Sequence, residues 1–285
     1  MLQIFQEETL LELAKNGGFR FTEKWFPYTS GWIGPYYVQS ADILKTGLGV
    51  QIATHSIMTV IEQIDETVDV ISGGESRDWP FAACIAEKLG VGLCMIYKDG
   101  KMVGATDLKD KRVLHVADLN NEGSSPRDMW IPLIRNAGGK ITDIVFLVDR
   151  LEDGVEEMKK LRLNSHAVIP LNEDTWNFLR EENFVSREIL NSLLDYWKDR
   201  KAWGAKKLME YPTILTKILD EDPRKGMKIF NTFYPLIGNK LPETFGFESK
   251  EKFENFFEPK LNSLLWTNKI YLNRSRRKKA SYVSV

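Results

Sequence analysis

The sequence predicts an α/β fold in which a central, mostly parallel sheet is flanked by helices. Short β-branched or apolar runs recur at residues 68–71, 92–97, 112–117 and 141–148. Helical patterns closed by glycine follow the first and third runs, at residues 80–89 and 126–136. Strands that alternate with helices at this spacing indicate βαβ units. Because such sheets bind ligands at the carboxyl ends of their strands, the loops after these runs are candidate sites.

The individual elements follow from local signals. The first strand is expected to close at Ser72-Gly73-Gly74, and the third to give way at Asp118 to a loop that lasts to Ser125. The aromatic stretch 19–39, broken by prolines and glycines, predicts short strands or hairpins. The first segment of the chain predicts a helix, as do residues 41–63, the latter interrupted near two glycines. Beyond about residue 200, amphipathic helical patterns punctuated by prolines predict a helical extension.

Composition excludes several classes of protein. The 285 residues include 39 basic and 40 acidic side chains, so the molecule as a whole is not built to coat nucleic acid or anionic lipid. Its two cysteines, Cys84 and Cys94, suit neither a disulfide framework nor a metal site. We see no signal-peptide pattern and no apolar run of the roughly 20 residues that cross a bilayer. We therefore expect a cytoplasmic protein without a membrane partner, in which any anion site is local.

The loop at residues 118–125 has the features of a phosphate site. It follows a strand and precedes a helix, with Ser125 suited to the N-cap and Pro126 to the first helical position. Free amides at a helix N-terminus, together with the positive end of the helix dipole, bind phosphate. Gly123 would let the backbone approach the ligand, and Asp118 could accept hydrogen bonds from sugar hydroxyls. An ordinary loop with a helix cap is the alternative interpretation.

This loop also resembles the phosphoribosyl pyrophosphate (PRPP) loop of type I phosphoribosyltransferases. In that family a hydrophobic strand is followed by two acids, two variable residues and Thr-x-Gly-x-Ser/Thr. Asp118, Gly123 and Ser125 match this pattern, whereas Ala117 replaces the first acid and Asn121 replaces the threonine.

A second segment resembles the N-terminal element that covers the base in the orotate branch of the family. It spans residues 26–37, and its matching residues are Ser30, Gly31, Pro35, Tyr36 and Tyr37. Stacking of a flat pyrimidine near these aromatic rings is physically sensible. A core hairpin rich in aromatic residues is the alternative.

A third segment, residues 69–80, resembles the pyrophosphate loop. Gly73 and Pro80 match, and Arg77 stands in the position of a lysine. Arginine keeps the charge and adds a fork suited to phosphate oxygens. Asp78 replaces a glycine and would repel phosphate unless it points away; a solvated turn is the alternative.

A fourth segment, residues 143–154, is similar to the family strand that ends in Asp-Arg-x-Glu-x-Gly. Asp149, Arg150, Glu152 and Gly154 match. In orotate enzymes this arginine faces the carboxylate of the base, which a guanidinium binds with two hydrogen bonds. A salt-bridged arginine at a strand end is the alternative.

The catalytic loop of the family is matched in part. Lys98 and Lys101 stand where the family has loop lysines, whereas Tyr97 replaces an arginine and the family's histidine is absent. In the family this loop shields the developing positive charge and the pyrophosphate, so a shortened loop would remove charge stabilisation and water exclusion.

The resemblance implies the type I phosphoribosyltransferase fold, with an N-terminal hood at residues 1–45, a core at 46–199 and a helical extension with a basic tail at 200–285. It implies that a homodimer transfers the phosphoribosyl group from PRPP to orotate, with Mg²⁺ bound mainly through PRPP and with no metal site formed by the protein alone. The implied catalytic residues are Lys98, Lys101 and Asp118. The implied PRPP-binding residues are Arg77, Asn121, Glu122, Gly123, Ser124 and Ser125. The implied base-binding residues are Ser30, Gly31, Tyr36, Tyr37 and Arg150.

Two other functions stay open at this point. Ala117, Asn121 and the short catalytic loop favour a non-catalytic protein that binds a phosphoribosyl compound or nucleotide. The basic run at residues 274–279 would suit a nucleic-acid-associated protein, although a solvated tail is the simpler interpretation. The three histidines lack partners at metal or catalytic-triad spacing. We expect an enzyme, with nucleic acid not among its partners.

Overall fold

The computed structural model describes residues 1–65 and 67–258 and divides the chain into two compact units. The first contains Met1–Phe21 and Tyr36–Leu194, and the second contains Thr22–Pro35 and the chain from Asp195 onward. The predicted extension begins at residue 200, near this second division. The predicted hood, in contrast, is shared between the units. The basic run at residues 274–279 lies outside the described residues.

A six-stranded sheet forms the centre of the first unit. Its strand order is β5-β4-β3-β6-β7-β8, and every neighbouring pair is parallel except β4 with β5. This confirms the predicted α/β fold with a mostly parallel sheet. Two further strands, β1 and β2, form a separate two-stranded sheet in the predicted aromatic stretch. The strands are β1 (Phe19–Pro27), β2 (Ile33–Val38), β3 (Val70–Gly74), β4 (Gly92–Ile96), β5 (Met102–Gly104), β6 (Val113–Asn120), β7 (Asp143–Asp149) and β8 (Asn164–Pro170).

Helices cover both faces of the six-stranded sheet. On one face, α1 and α2 pack together and against β8, and α3 packs against β3, β4 and β6. On the other, Ile144 and Phe146 of β7 share a buried cluster with Ile131 and Ile134 of α4 and with Met158 of α5. The helices of this unit are α1 (Ile4–Lys15), a 3-10 helix (Ser40–Lys45), α2 (Gly47–Ile61), α3 (Trp79–Leu89), a π-helical turn (Pro126–Trp130), α4 (Ile131–Asn136), α5 (Asp153–Lys160), α6 (Glu173–Glu181) and α7 (Arg187–Lys198), whose last turn belongs to the second unit.

The interruption predicted near Gly47 and Gly49 separates the 3-10 helix from α2. Thr46 is extended there, and its hydroxyl oxygen accepts the amide of Gly49 as an N-cap. An added Cβ at Gly49 would lie 2.0 Å from the carbonyl oxygen of Ile43, so this close turn requires a glycine.

The second unit is helical after Asp195, as the proline-punctuated sequence predicts. Pro212 and Pro223 each open a helix, the position at which the missing amide of proline costs no hydrogen bond. Trp32 packs edge-on against Phe233, and the guanidinium of Arg200 lies 5.2 Å from the centre of the Trp32 ring. The helices are α8 (Arg200–Glu210), α9 (Pro212–Glu221), α10 (Pro223–Ile237) and α11 (Lys240–Thr244), followed by helical residues 250–258.

Three details differ from the sequence predictions. Ser72-Gly73-Gly74 does not close β3 but forms its buried carboxyl-terminal half. Asp118 does not begin a loop, because β6 continues to Asn120, whose partner in β7 is Asp149. Strand β8 is not predicted by the sequence pattern, because its first residues are polar and exposed.

Among the described residues, none of the helices combines the length and the apolar character that crossing a membrane would require.

We predict that Phe146→Ala lowers the free energy of unfolding by about 3–5 kcal/mol, because Phe146 is fully buried in the central strand β7 and its loss leaves a cavity. Leu48→Ala is the control, since Leu48 is 57% exposed; its effect should stay within about 0.5 kcal/mol. Urea unfolding of both variants measures the difference. Equal effects would contradict the described core.

Candidate functional site

The end of β3 is built for close contact with its neighbours. An added Cβ at Gly73 would lie 2.8 Å from the Cβ of Ala82 in α3, and one at Gly74 would lie 2.3 Å from the ring of Trp130. Only glycine therefore fits between α3 and the indole ring. The peptide that follows, Glu75–Ser76, is cis. The loop carrying Arg77 thus begins beside Trp130.

The predicted phosphate loop ends in a helix whose first amides are not used in the hydrogen bonds of the helix itself. The amide of Arg127 donates to the carbonyl of Gly123 at 3.1 Å, so the amides of Ser124 and Ser125 lie in the first turn, where no carbonyl precedes them. Gly123 has φ +66°, and an added Cβ would lie 2.8 Å from the Cβ of Glu157. The turn therefore requires glycine because of its positive φ and the nearby side chain of Glu157.

The predicted N-cap at Ser125 is wrong. The backbone of Ser125 is already helical, with φ −64° and ψ −47°, and its side chain makes no capping hydrogen bond. The helix starts one residue earlier, at Ser124. Its first turns are wide and π-helical, which suits Pro132 because proline has no amide to donate and its ring crowds the carbonyl four residues before it.

A cavity of about 300 Å³ lies at the carboxyl ends of β3 and β6. This is the edge of a parallel sheet at which ligands are expected. Two cationic side chains, three carboxyl groups and the first turn of the helix after β6 contribute to its wall. The lining residues are Glu75, Ser76, Arg77, Asp78, Lys98, Asp118, Leu119, Ser125 and Trp130.

Two carboxyl groups, those of Asp78 and Asp118, form the buried part of this wall. Asp78 accepts the amides of Gly74 and Asp118, both at 2.8 Å, and Asp118 accepts the hydroxyl of Ser40 at 2.6 Å. Burial raises the pKa of Asp78 to about 6. Burial, followed by the charge of Asp78, raises the pKa of Asp118 to about 7. Both pKa values therefore lie closer to neutral pH than that of an exposed aspartate.

A neutral histidine lies behind this pair. Nδ1 of His115 shares a hydrogen bond of 2.9 Å with the hydroxyl of Ser72, and its ring stacks on Trp130 at 4.4 Å between ring centres. Burial lowers the pKa of His115 to about 3, so it carries no charge toward Asp78, although Nε2 lies 3.8 Å from that carboxyl. His115 is fully buried in β6.

Arg150, at the end of β7, is held by a cluster of polar side chains. Its guanidinium donates to Glu152 at 2.8 Å, to Asn121 at 3.0 Å and to the hydroxyl oxygen of Tyr36 at 3.1 Å. The hydroxyl of Tyr36 in turn donates to Glu152 at 3.0 Å. Arg150 is 6% exposed. An acidic partner thus neutralises the one buried cation of this cluster.

Comparison with solved structures supports the fold. The chain is similar to the UMP synthase of Leishmania donovani, with a TM-score of 0.60 and 21% identity over 67% of this chain and 41% of the synthase. It is also similar to an orotate phosphoribosyltransferase from Francisella tularensis, with a TM-score of 0.56 and 20% identity over 67% of this chain and 98% of that one.

Sequence comparison extends this result. No family model matches the chain. An orotate phosphoribosyltransferase of Saccharolobus solfataricus is 29% identical over 176 residues, which cover 60% of this chain and 88% of the relative. An adenine phosphoribosyltransferase of Nitrosomonas eutropha is 30% identical over 149 residues, covering 45% of this chain and 83% of the relative. The chain belongs to the type I phosphoribosyltransferase family.

Four of the residues predicted for this phosphoribosyltransferase meet in one place. Arg77, Lys98, Asp118 and Ser125 all line the cavity, although they come from three separate segments of the sequence. Ser124 and Gly123 belong to the adjoining helix start. Their individual roles stay predictions.

Other predicted residues have different surroundings. Lys101 is absent from the described cavity wall, and its ammonium lies 5.8 Å from the ring centre of Tyr97. The side chain of Asn121 bonds to Arg150, and Oε1 of Glu122 is buried with no partner among the described residues. The ring of Tyr37 is partly exposed below the guanidinium of Arg20.

Ser30 and Gly31 belong to the second unit of the phosphoribosyltransferase, whereas Tyr36 and Arg150 belong to the first. Gly31 has φ +93°, and an added Cβ would lie 2.6 Å from the hydroxyl of Thr232 in α10. The absence of a side chain at Gly31 therefore allows a close contact with α10 within that unit. Base binding by Ser30 and Gly31 stays a prediction.

Sequence analysis missed two residues that shape the site, Ser40 and Trp130, and noted Asp78 only as an acid in an anion loop. It does point away from the loop, into the buried pair with Asp118. Ser40 and Trp130 carry no local signal, because their roles depend on contacts across the fold.

The described residues contain no group of three or more histidine, cysteine or acidic side chains that could hold a metal ion. Asp78 and Asp118 are committed to amides, a hydroxyl and each other. The carboxyl groups of Asp78 and Asp118 are therefore engaged by donors of the protein itself.

We predict that Gly123→Ala destabilises the protein more than Gly90→Ala, although both glycines have φ +66°. Alanine at Gly90 would meet nothing within 4 Å, so it should cost about 1 kcal/mol of backbone strain. Alanine at Gly123 should cost about 1–3 kcal/mol more, because its Cβ collides with Glu157. Urea unfolding measures both values. Equal losses would show that the turn is not closely packed.

Proposed function

We propose that this phosphoribosyltransferase transfers the phosphoribosyl group of PRPP to orotate. In this reaction a ring nitrogen of orotate forms a bond to C1 of the ribose while the bond from C1 to the pyrophosphate oxygen breaks. Pyrophosphate leaves with that electron pair, and the proton of the ring nitrogen passes to the departing pyrophosphate or to solvent. The observation that carries the proposal is the cavity where Arg77 and Lys98 face Asp118 and Ser125. The relatives named orotate phosphoribosyltransferase support orotate as the acceptor.

The two ends of PRPP suit two parts of this wall. The amides of Ser124 and Ser125 at the helix start suit the 5′-phosphate, since a helix N-terminus attracts anions. Arg77 and Lys98 suit the pyrophosphate, whose developing charge they would stabilise as it leaves. Asp118 lines the same cavity, and its carboxyl would accept hydrogen bonds from the ribose hydroxyls. An orotate phosphoribosyltransferase of Mycobacterium tuberculosis, whose TM-score with this chain is 0.50, has been solved in complex with inorganic phosphate.

Magnesium is part of the proposal. It would arrive with PRPP and neutralise pyrophosphate charge, held by substrate oxygens and water. The chain's own contribution would be to hold those phosphates through Arg77, Lys98 and the helix amides. We also propose a homodimer and a cytoplasmic location, which light scattering and cell fractionation test.

For the base, we propose that the carboxylate of orotate binds Arg150. A guanidinium offers five N–H donors in a plane, and its bonds to Glu152 and Tyr36 fix the orientation of that plane. The carboxylate would share the guanidinium with Glu152. Tyr36, whose ring lies 4.9 Å from the guanidinium carbon, would form one side of the base site.

A second candidate is a protein that binds a phosphoribosyl compound without turnover. It is favoured by Asn121, which stands where the family has threonine and whose side chain is engaged by Arg150. Ala117, buried in β6 in place of an acid, favours the same candidate.

We expect the purified chain to consume orotate when mixed with PRPP and Mg²⁺, as measured by the loss of orotate absorbance. Calorimetric titration with PRPP runs in parallel. Binding without turnover would support the second candidate. If the chain neither binds PRPP nor consumes orotate, the proposed function is contradicted. Turnover with adenine in place of orotate would show that the acceptor is adenine.

We predict that Arg150→Lys raises the KM for orotate by about 10- to 100-fold, because lysine keeps the charge but loses the planar fork. The KM for PRPP should change by less than about threefold. Arg135→Lys is the matched control, since Arg135 is exposed in α4. Steady-state kinetics of both variants provide the test. Equal effects on the two KM values would identify Arg150 as a structural arginine.

A further inference from the structure

Each oxygen of the Asp78 carboxyl accepts one backbone amide, and these two bonds orient the group. Oδ1 accepts the amide of Asp118, and Oδ2 accepts the amide of Gly74, both at 2.8 Å. Amide donors favour the ionised form of a carboxyl group. Asp78 is 3% exposed, so its position is determined by these bonds and not by solvent.

The carboxyl of Asp118 faces Asp78 from the neighbouring strand. The backbone amide of Asp118 donates to Oδ1 of Asp78 at 2.8 Å, so the two buried residues are direct neighbours in space, and the charge of Asp78 raises the pKa of Asp118. Oδ2 of Asp118 also accepts the hydroxyl of Ser40. Two carboxylates in contact cannot both be ionised without strong repulsion, whereas one proton between them gives a hydrogen bond. Since Asp78 already has two amide donors, the proton belongs on Asp118, which donates it to Asp78.

The charged groups around the pair do not replace that proton. Arg77 is the cation that acts on both carboxyl groups, and it lowers both pKa values by less than burial raises them. His115 lies 3.8 Å from Asp78 but is neutral, because burial lowers its pKa to about 3. Glu75 and Lys98, on the same cavity wall, carry opposite charges.

We propose that Asp78 is a positioning residue for Asp118: the two carboxyl groups share one proton, and loss of this proton to solvent accompanies binding of the sugar hydroxyls to Asp118. An ionised carboxylate accepts hydrogen bonds from a diol more strongly than a protonated carboxyl does. A ligand that donates two hydroxyls therefore favours release of the proton. The inference rests on the proposed function for the identity of the sugar, but the shared proton is a property of the unliganded chain.

The shared proton is tested first without any ligand. Difference infrared spectroscopy of the unliganded full chain should show a protonated carboxyl between pH 6 and 7 that disappears at higher pH. Asp78→Asn removes the neighbouring charge, so the pKa of Asp118 falls and the band should disappear at a lower pH than in the wild type. Ser40→Ala removes a donor to the Asp118 carboxylate, so the pKa rises and the band should persist to higher pH. Glu87→Gln, an exposed carboxyl of α3, is the matched control and should leave the band unchanged.

The coupling to the sugar is tested by calorimetry with PRPP over the same pH range. In the wild type and in Glu87→Gln, affinity should rise by up to about tenfold per pH unit below about pH 7 and level off above it, beyond the contribution of the phosphates themselves. In Asp78→Asn this additional rise should move down by about one pH unit or more. In Ser40→Ala it should move up. A loss of packing would not shift two profiles in opposite directions.

Failure of the inference and failure of the proposed function give different results. A wild-type chain without the protonated carboxyl overturns the inference, and so do Asp78→Asn and Ser40→Ala variants that keep the wild-type pH profile. If Asp78→Asn does not fold, the opposite shift expected of Ser40→Ala decides alone. If PRPP fails to bind at any pH, the proposed function fails, and the infrared result by itself supports or overturns the proton-sharing pair.

Discussion

The site depends on the carboxyl group of Asp78, which connects β3 and β6 just beyond the last backbone pair of these two strands. The pairing of β3 with β6 runs from Val70–Val113 to Ser72–His115. Beyond that point Asp78 accepts an amide from each strand, that of Gly74 and that of Asp118. A side chain thus takes over the role of the backbone ladder. Because Asp78 opens α3, the same bonds also fix the loop after β3, including Arg77, relative to the end of β6.

This arrangement explains the residues behind the loop. A buried carboxyl close to a histidine would normally form an ion pair, but here His115 is stacked on Trp130 and bonded to Ser72, and burial keeps it neutral. Trp130 fills the space that the absent side chain of Gly74 leaves. Two amide bonds offset part of the cost of burying Asp78, and Arg77, the cation that acts on this carboxyl group, lies on the cavity wall.

The sequence predicted the parts of this structure that local physics determines. The βαβ alternation, the glycine at position 123 and the capped break before α2 follow from periodicity, positive φ and side-chain capping. It did not predict β8, whose polar start hides the strand period, or the extension of β6 through Asp118, which depends on pairing with β7. The contact of Ser40 with Asp118 joins residues 78 positions apart, and no local pattern encodes it.

The charge of the cavity gives the proton-sharing pair its physical significance. Two cationic side chains on the wall, Arg77 and Lys98, face three carboxyl groups, those of Glu75, Asp78 and Asp118. With one proton kept between Asp78 and Asp118, the side-chain charges of the unliganded wall balance. Loss of the proton on binding adds one negative charge, which hydrogen bonds from the sugar hydroxyls to Asp118 would offset. The helix amides at Ser124 and Ser125 then tip the balance toward anions, since they add positive potential without a counter-ion. A chain with almost no net charge can in this way hold a polyanion, because the favourable potential is local.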